Sequence, residues 1–252
     1  MTKLFPTPAG YISHLPDQRH RTAYKAIIAI AEAVNNVGGR ALLVGGCVRD
    51  MLLDILPKDY DLEVYHLQPE QLETLLQTIC PISLVGKSFG VYKLHLPDAV
   101  PVDVSLPRKD SKTGSGHQGF IITSDPELLF EEASGRRDFT INSILADPLT
   151  GEIHDPYNGL KDLEAKVLRI TNPKTFSDDP LRVLRAVQLT ARYNLQVETK
   201  SLEIIRQMVS QLAELSKERI REEWKKVFES AYPEVGLALA KQLDIEIQQR
   251  DQ

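Results

Sequence analysis

Between Arg19 and Asn36, apolar residues fall at Tyr24, Ile27, Ile28, Ala31 and Val34. That three-and-four spacing predicts one helical face, and Gly38-Gly39 stands where such a helix would stop. A short apolar run, ALLV at 41–44, leads through Gly45-Gly46 into a helix over 48–53. There the helical period gives way to strict alternation. In KDYDLEVY at 58–65, Tyr60, Leu62 and Val64 take one face of a strand and Asp59, Asp61 and Glu63 the other. After a helix over 69–79, strands are predicted at 82–86, 91–96 and 100–106. In the last, Val100, Val102, Val104 and Leu106 form the apolar side and Asp103 lies opposite. Residues 107–125 are polar, with three glycines, and predict a mobile loop. From Pro126 onward the helical period dominates, over 126–134, 139–146, 180–193, 199–213, 217–231 and 233–243.

Strands mixed with helices, then helices alone, predict an α+β first domain over 1–171 and an all-helical second domain over 172–252. The seam falls near Asn172-Pro173. With 252 residues, 42% of them hydrophobic, and a net charge of −5, the chain has a core and is not intrinsically disordered. Two cysteines, Cys47 and Cys80, exclude a disulfide framework and cannot alone make a zinc site. The longest apolar run, Ala26 to Val34, is broken by Glu32 and falls far short of the ~20 residues that span a bilayer. The start, MTKLFPTPAGY, has no apolar signal core, so the chain reads as cytoplasmic with no membrane partner. Thirty Lys+Arg against 35 Asp+Glu excludes coating of nucleic acid by bulk charge, but not an enzyme with a local basic stripe.

Four segments can carry chemistry. On KDYDLEVY, two carboxylates one pleat apart repel unless something neutralises them, and a pair of Mg²⁺ ions would do so. A solvated edge-strand face is the bland alternative. Asp103 weakens that alternative if its strand pairs near 58–65. Upstream, LLVGGCVRD (42–50) runs a strand through Gly45 and Gly46 into a helix start, where backbone N–H groups can approach a phosphate and Arg49 can meet its charge. By itself that is usually a tight turn. In RRDFTINSI (136–144), Arg137 and Asp138 set a donor fork beside an acceptor, and a helix there would put Asp138 and Asn142 on one face. Alternatively, Asp138 simply caps that helix. In SDDPLRVLRAVQLTAR (177–192), Pro180 fits the first helical position and Asp179 the cap, while Asp179, Arg182 and Arg185 recur in steps of three.

These segments, with VDVSLPR and SKERIREEW, occur in the order seen in class II tRNA nucleotidyltransferases (CCA-adding enzymes) and bacterial poly(A) polymerases, which the chain resembles from about residue 40 to 230. The resemblance implies a DNA polymerase β-like nucleotidyltransferase head with a mixed or antiparallel sheet, followed by a helical neck that selects the base. It implies Asp59 and Asp61 as metal ligands for two Mg²⁺ ions, with Asp103 as a third catalytic carboxylate. Gly45, Gly46 and Arg49 would hold the triphosphate, Arg137 and Asp138 would contact phosphate and ribose, and Arg185 would lie near the triphosphate. Asp179 and Arg182 match the pair that reads the base edge. Adenine and cytosine each offer an exocyclic N–H beside a ring-nitrogen acceptor, which a carboxylate next to a guanidinium complements. Guanine and uracil reverse that order.

The implied activity is template-independent transfer of CMP and AMP from CTP and ATP to RNA 3′ ends, most simply tRNA CCA-end synthesis or repair. Poly(A) addition and partial CC or A addition remain alternatives. So does a non-catalytic nucleotide- or RNA-binding module, or a subunit needing a separate RNA-binding partner or a homo-oligomer. A nucleotidyltransferase acting on a small molecule or protein fits the reading helix less well. Gln188 stands where many relatives carry Arg, and Asp178 where Glu is common. After SKERIREEW and one more helix the chain ends, whereas CCA-adding relatives continue through further helical domains. The basic patch KERIREEWKK and the acidic balance together predict weak, salt-sensitive RNA binding by this chain alone.

Overall fold

The structure, a computed structural model, describes residues 8–85, 90–112 and 120–247. Two compact units interleave in sequence. The first takes the N-terminal part with Phe120–Gly135 and Asn142–Tyr157; the second takes Arg136–Ile141 and the chain from Asn158 onward.

In the first unit, α1 (Pro8–His14) and α2 (Gln18–Asn36) precede β1 (Arg40–Val44), α3 (Gly46–Leu52), β2 (Tyr60–Tyr65) and α4 (Pro69–Ile79). Then come β3 (Ile82–Val85), β4 (Val91–Leu94), β5 (Val102–Ser105), β6 (Arg108–Lys112), β7 (Phe120–Ser124), α5 (Phe130–Gly135), β8 (Leu145–Ala146) and β9 (Ile153–His154). Seven strands form one mixed sheet in the order β3-β4-β5-β2-β1-β8-β9. β2 and β5 run parallel, and every other neighbouring pair is antiparallel.

The alternation read from the sequence sets this sheet. Tyr60, Leu62 and Val64 are fully buried, and Tyr60 meets Tyr24 of α2 edge-on at 6.0 Å between ring centres. α2 starts where Asp17 caps it, its carboxylate accepting the His20 N–H at 2.9 Å. Its buried stripe is Tyr24, Ile27, Ile30, Ala31 and Val34. Ile28 lies beside that stripe and only partly buried. One step from Ile27 turns the side chain about 100° away, whereas Ile30, three steps on, stays in line.

Two sequence expectations fail in this unit. Residues 107–125 are not a plain loop, because β6 and β7 pair as an antiparallel ribbon from Arg108↔Ser124 to Lys112↔Phe120. Residues 113–119, including His117, and the side chains of Lys109, Asp110 and Lys112 lie outside the described residues. The helix expected over 139–146 is a single 3-10 turn, Thr140–Asn142, followed by β8. Leu145 and Ala146 pair with Val44 and Leu43 of the central sheet, and that buried pairing overrides the local period.

The second unit holds α6 (Gly159–Glu164), β10 (Val167–Leu168), α7 (Pro173–Phe176), α8 (Leu181–Tyr193), β11 (Gln196–Val197), α9 (Thr199–Met208), α10 (Lys217–Phe228) and α11 (Pro233–Gln242). A two-residue parallel ladder, Val167↔Gln196 and Leu168↔Val197, interrupts the helices. α8 is the core element, with Val183, Leu184, Ala186, Val187, Leu189 and Ala191 buried, and both α10 and α11 pack on it. Gly236 brings α11 close: a Cβ there would stand 2.8 Å from both the Val187 carbonyl oxygen and the Ala191 Cβ. Backbone cannot yield as a side-chain tip can. Gly236→Ala is therefore expected to destabilise the protein by about 1–3 kcal/mol, read as a lower urea midpoint with unchanged slope.

Candidate active site

In the first unit, β1 delivers the chain into Gly45, whose φ of 75° and ψ of −139° suit glycine and few other residues. Gly46 opens α3, and a Cβ on it would approach Arg49 Nη2 to 3.3 Å. Arg49 is buried under this turn. Its Nε and Nη2 donate to Asp50 Oδ1 at 2.9 and 2.8 Å, and its Nη1 donates to Asn142 Oδ1. The guanidinium is thus a fixed positive charge beneath the glycines. Asn142, expected to share a helix face with Asp138, instead anchors Arg49.

Two of the carboxylates come together on the sheet, and two sit differently from the sequence expectation. Asp61 on β2 and Asp103 on β5 are register partners on adjacent parallel strands, and both are half-buried. Lys93 of β4 donates to Asp103 Oδ2 at 3.3 Å, which offsets part of the local negative charge. Asp59 is exposed and precedes the strand, which begins at Tyr60. Glu63 is no part of an acidic front. It is fully buried and accepts the Tyr65 hydroxyl at 2.7 Å, under the segment that brings Leu128 and Ala133 against Tyr65.

Behind this edge Cys47 donates to the Val44 carbonyl at 3.1 Å. Burial, followed by the Asp61 charge, pushes its thiol up to about 12. At pH 8 roughly one such thiol in ten thousand is ionised. Iodoacetamide should therefore modify Cys80 and spare Cys47 in the native protein, with both modified in denaturant. A native mass shift on Cys47 would show that the packing behind the carboxylates is open.

The second unit carries a cluster of alternating charge. Asp138 is buried; its Oδ1 accepts the Phe139 N–H at 2.8 Å and its Oδ2 pairs with Arg185 Nη2 at 2.6 Å. That carboxylate is the first cause that raises the Arg185 pKa above its ordinary value. Arg137 is half-buried in the turn after α5. Arg182 donates to the carbonyls of Thr175 at 3.0 Å and Arg136 at 2.7 Å, over the Phe176 ring. Burial lowers its pKa, and Asp138 and Asp179 partly offset that. The guanidinium stays charged, but it is short of water.

Asp179 behaves as the cap the sequence called for, one residue before the assigned helix boundary. Its Oδ1 accepts the Leu181 N–H at 3.0 Å and its carbonyl accepts the Arg182 N–H at 3.0 Å. Arg219 stands 3.6 Å from Asp179, placed by the first turn of α10, where Ser216 accepts the Arg219 N–H. Arg219 was not singled out from the sequence. The available signal was Ser216, a cap three residues ahead of it, which fixes the direction of that helix.

For a hard divalent cation the donor set fits. Among the described residues no three His, Cys, Asp or Glu side chains converge closely enough to cage a metal. Mg²⁺ does not require a cage, since it keeps several waters and binds through one or two carboxylates plus substrate phosphates. Asp61 and Asp103, in register on adjacent strands, could supply such a partial set, with Asp59 two residues before Asp61.

Residues 41–169 match the family described as Poly A polymerase head domain, and residues 194–245 match a probable RNA and SrmB-binding site of polymerase A. The chain belongs to the class II tRNA nucleotidyltransferase and poly(A) polymerase family. Its relatives in this family include the Multifunctional CCA protein of Xanthomonas euvesicatoria, 40% identical over 202 residues, 77% of this chain and 47% of that protein. The Stenotrophomonas maltophilia Multifunctional CCA protein is 38% identical over 200 residues, with the same coverage of 77% and 47%. The chain thus spans about half the length of the curated relatives it matches. Among solved family members, the Thermotoga maritima CCA-adding enzyme complexed with tRNA shares the fold at a TM-score of 0.76 and 23% identity, covering 96% of this chain and 55% of that one. The Bacillus stearothermophilus CCA-adding enzyme in complex with CTP gives 0.73 at 26%, covering 87% and 52%. Among the described residues no helix is long and apolar enough to cross a membrane.

Proposed function

We propose that the chain transfers CMP and AMP from CTP and ATP to RNA 3′ ends without a template, as in tRNA CCA-end synthesis or repair. The observation that carries this reading is the register of Asp61 with Asp103 on adjacent parallel strands, one β-strand from the Gly45–Arg49 turn. The relatives' names and the CTP-bound and tRNA-bound neighbours support the same chemistry.

Asp59 and Asp61 would hold divalent cations, two Mg²⁺ ions on this reading, with Asp103 as a further carboxylate. When bound, such ions polarise the phosphate and make a hydroxyl a better nucleophile. Gly45 and Gly46 would let the backbone approach the triphosphate, and Arg49, held by Asp50 and Asn142, would meet its charge without first paying to be ordered. Arg137 and Arg185 would add positive charge for the phosphates. Asp138 already binds Phe139 N–H and Arg185, yet a carboxylate offers about four acceptor sites, so it can still take a ribose hydroxyl. Asp179 and Arg182 would read the base, the carboxylate accepting an exocyclic N–H and the guanidinium donating to the ring nitrogen.

The acceptor series tests this. The purified chain is incubated with Mg²⁺, labelled CTP or ATP, and tRNAs ending at the discriminator base or after C, CC or CCA. Two C additions, one A addition and none to a finished end are expected. Repeated A addition would assign poly(A) synthesis instead, and no incorporation into any acceptor would sink the enzymatic reading.

A further inference from the structure

Asp59 is exposed, and of the segment leading to it Ile55 and Leu56 face solvent while Pro57 is buried. Two hydrogen bonds to backbone carbonyls flank it. On its far side the Tyr60 N–H donates to the Pro101 carbonyl at 2.9 Å, with the Tyr60 ring fully buried against Tyr24 and His20. On its near side the buried imidazole of His20 reaches across 37 residues and places Nε2 3.1 Å from the Pro57 carbonyl oxygen. Two residues, Lys58 and Asp59, lie between these anchors.

The His20 ring is held from both sides. Its Nδ1 lies 2.9 and 3.0 Å from the two carboxylate oxygens of Asp17, and both the carboxylate and the Pro57 carbonyl can only accept. A hydrogen on Nε2 bonds the Pro57 carbonyl, while Asp17, which also caps α2, orients the ring through Nδ1.

We propose that His20, oriented by Asp17, is a positioning residue that clamps the Pro57 carbonyl and so fixes the Asp59 carboxylate for a divalent cation. This rests on the reading of Asp59 as a metal ligand. Partners that hydrogen-bond a metal ligand directly typically contribute about 10–100-fold to metal affinity, and His20, acting on backbone two residues from the ligand, is expected at the lower end of that range.

The test is Mn²⁺ titration of the full chain, followed by electron paramagnetic resonance, with wild type, His20→Asn, His20→Gln and Asp59→Ala. The asparagine amide mimics Nδ1 and keeps the bond to Asp17 but not the one to Pro57. The glutamine amide mimics Nε2 and can still donate to the Pro57 carbonyl. His20→Asn should weaken Mn²⁺ binding about tenfold, His20→Gln by no more than about threefold, and Asp59→Ala by at least as much as His20→Asn. Thermal unfolding of each variant records any general loss of stability. If Asp59→Ala weakens binding while His20→Asn binds as wild type does, the clamp is wrong and the ligand assignment stands. Equal weakening in the two His20 variants also overturns the clamp, because a merely structural histidine would not distinguish them. If Asp59→Ala leaves Mn²⁺ binding unchanged, the ligand assignment fails and the clamp falls with it.

Discussion

Replacing Asp59 with alanine is expected to lower nucleotide incorporation at least ~10³-fold, about 4 kcal/mol of transition-state stabilisation, while the protein stays folded. The two halves of this expectation have separate grounds. Asp59 is exposed and lies outside the strand, and substitutions at such surface sites usually change stability by no more than about 0.5 kcal/mol. Its neighbour Asp61 is half-buried in register with Asp103, so on the proposed reading Asp59 and Asp61 would share a cation with the substrate phosphates. Removing one of so few carboxylates would leave a set too weak to hold Mg²⁺ in competition with water. Initial rates at saturating CTP, alongside a melting curve, check both halves. A variant with wild-type rate would remove Asp59 from the metal site.

Arg182→Ala is expected to collapse base selection by about 10–100-fold, measured as CTP or ATP incorporation relative to UTP or GTP. The guanidinium is partly desolvated and held to two backbone carbonyls, so it presents its remaining N–H groups in a fixed direction. On the proposed reading a cytosine or adenine ring nitrogen would accept from it. A guanine or uracil N–H in that place would leave two donors facing each other, which costs a few kcal/mol when water is excluded. Loss of the two backbone bonds should also lower stability by about 1–3 kcal/mol, so selectivity is compared at a temperature where both proteins are folded. Arg182→Lys serves as a second variant: it keeps the charge but loses the planar fork, and should lose selectivity as well. Unchanged preference for C and A in both variants would free Arg182 from the reading role.

Periodicity made the faces of two strands legible. The two-residue repeat in KDYDLEVY and VPVDVSL encodes which side of a sheet Asp61 and Asp103 occupy, while their pairing, left open by the sequence, comes from the register of the folded sheet. The glycine turn and the Asp179 cap were legible for a similar reason, since they are local backbone chemistry. What escaped is set by partners distant in sequence. RRDFTINSI reads as a helix, but β8 is claimed by β1, and the residues around it separate: Asp138 goes to Arg185 and Asn142 to Arg49. Two-residue ladders such as β10–β11 are too short to show any period. Glu63 has the alternation of an exposed acid, yet it is buried and bonded to the Tyr65 hydroxyl, beside a residue that clusters with Leu128 and Ala133 from a later segment. The His20–Pro57 bond spans 37 residues and joins a helix start to a loop, which no local pattern predicts.

Competition among the four nucleotides on one acceptor separates template-independent C and A addition from every other outcome. Wild-type protein, Mg²⁺ and a tRNA lacking its CCA end are given CTP, ATP, GTP and UTP in separate reactions and then together, and the products are sequenced. C, C and A in that order are expected from the mixture, with no G or U, and no product from Asp59→Ala. Incorporation of all four nucleotides at similar rates, or none of any, would contradict this reading.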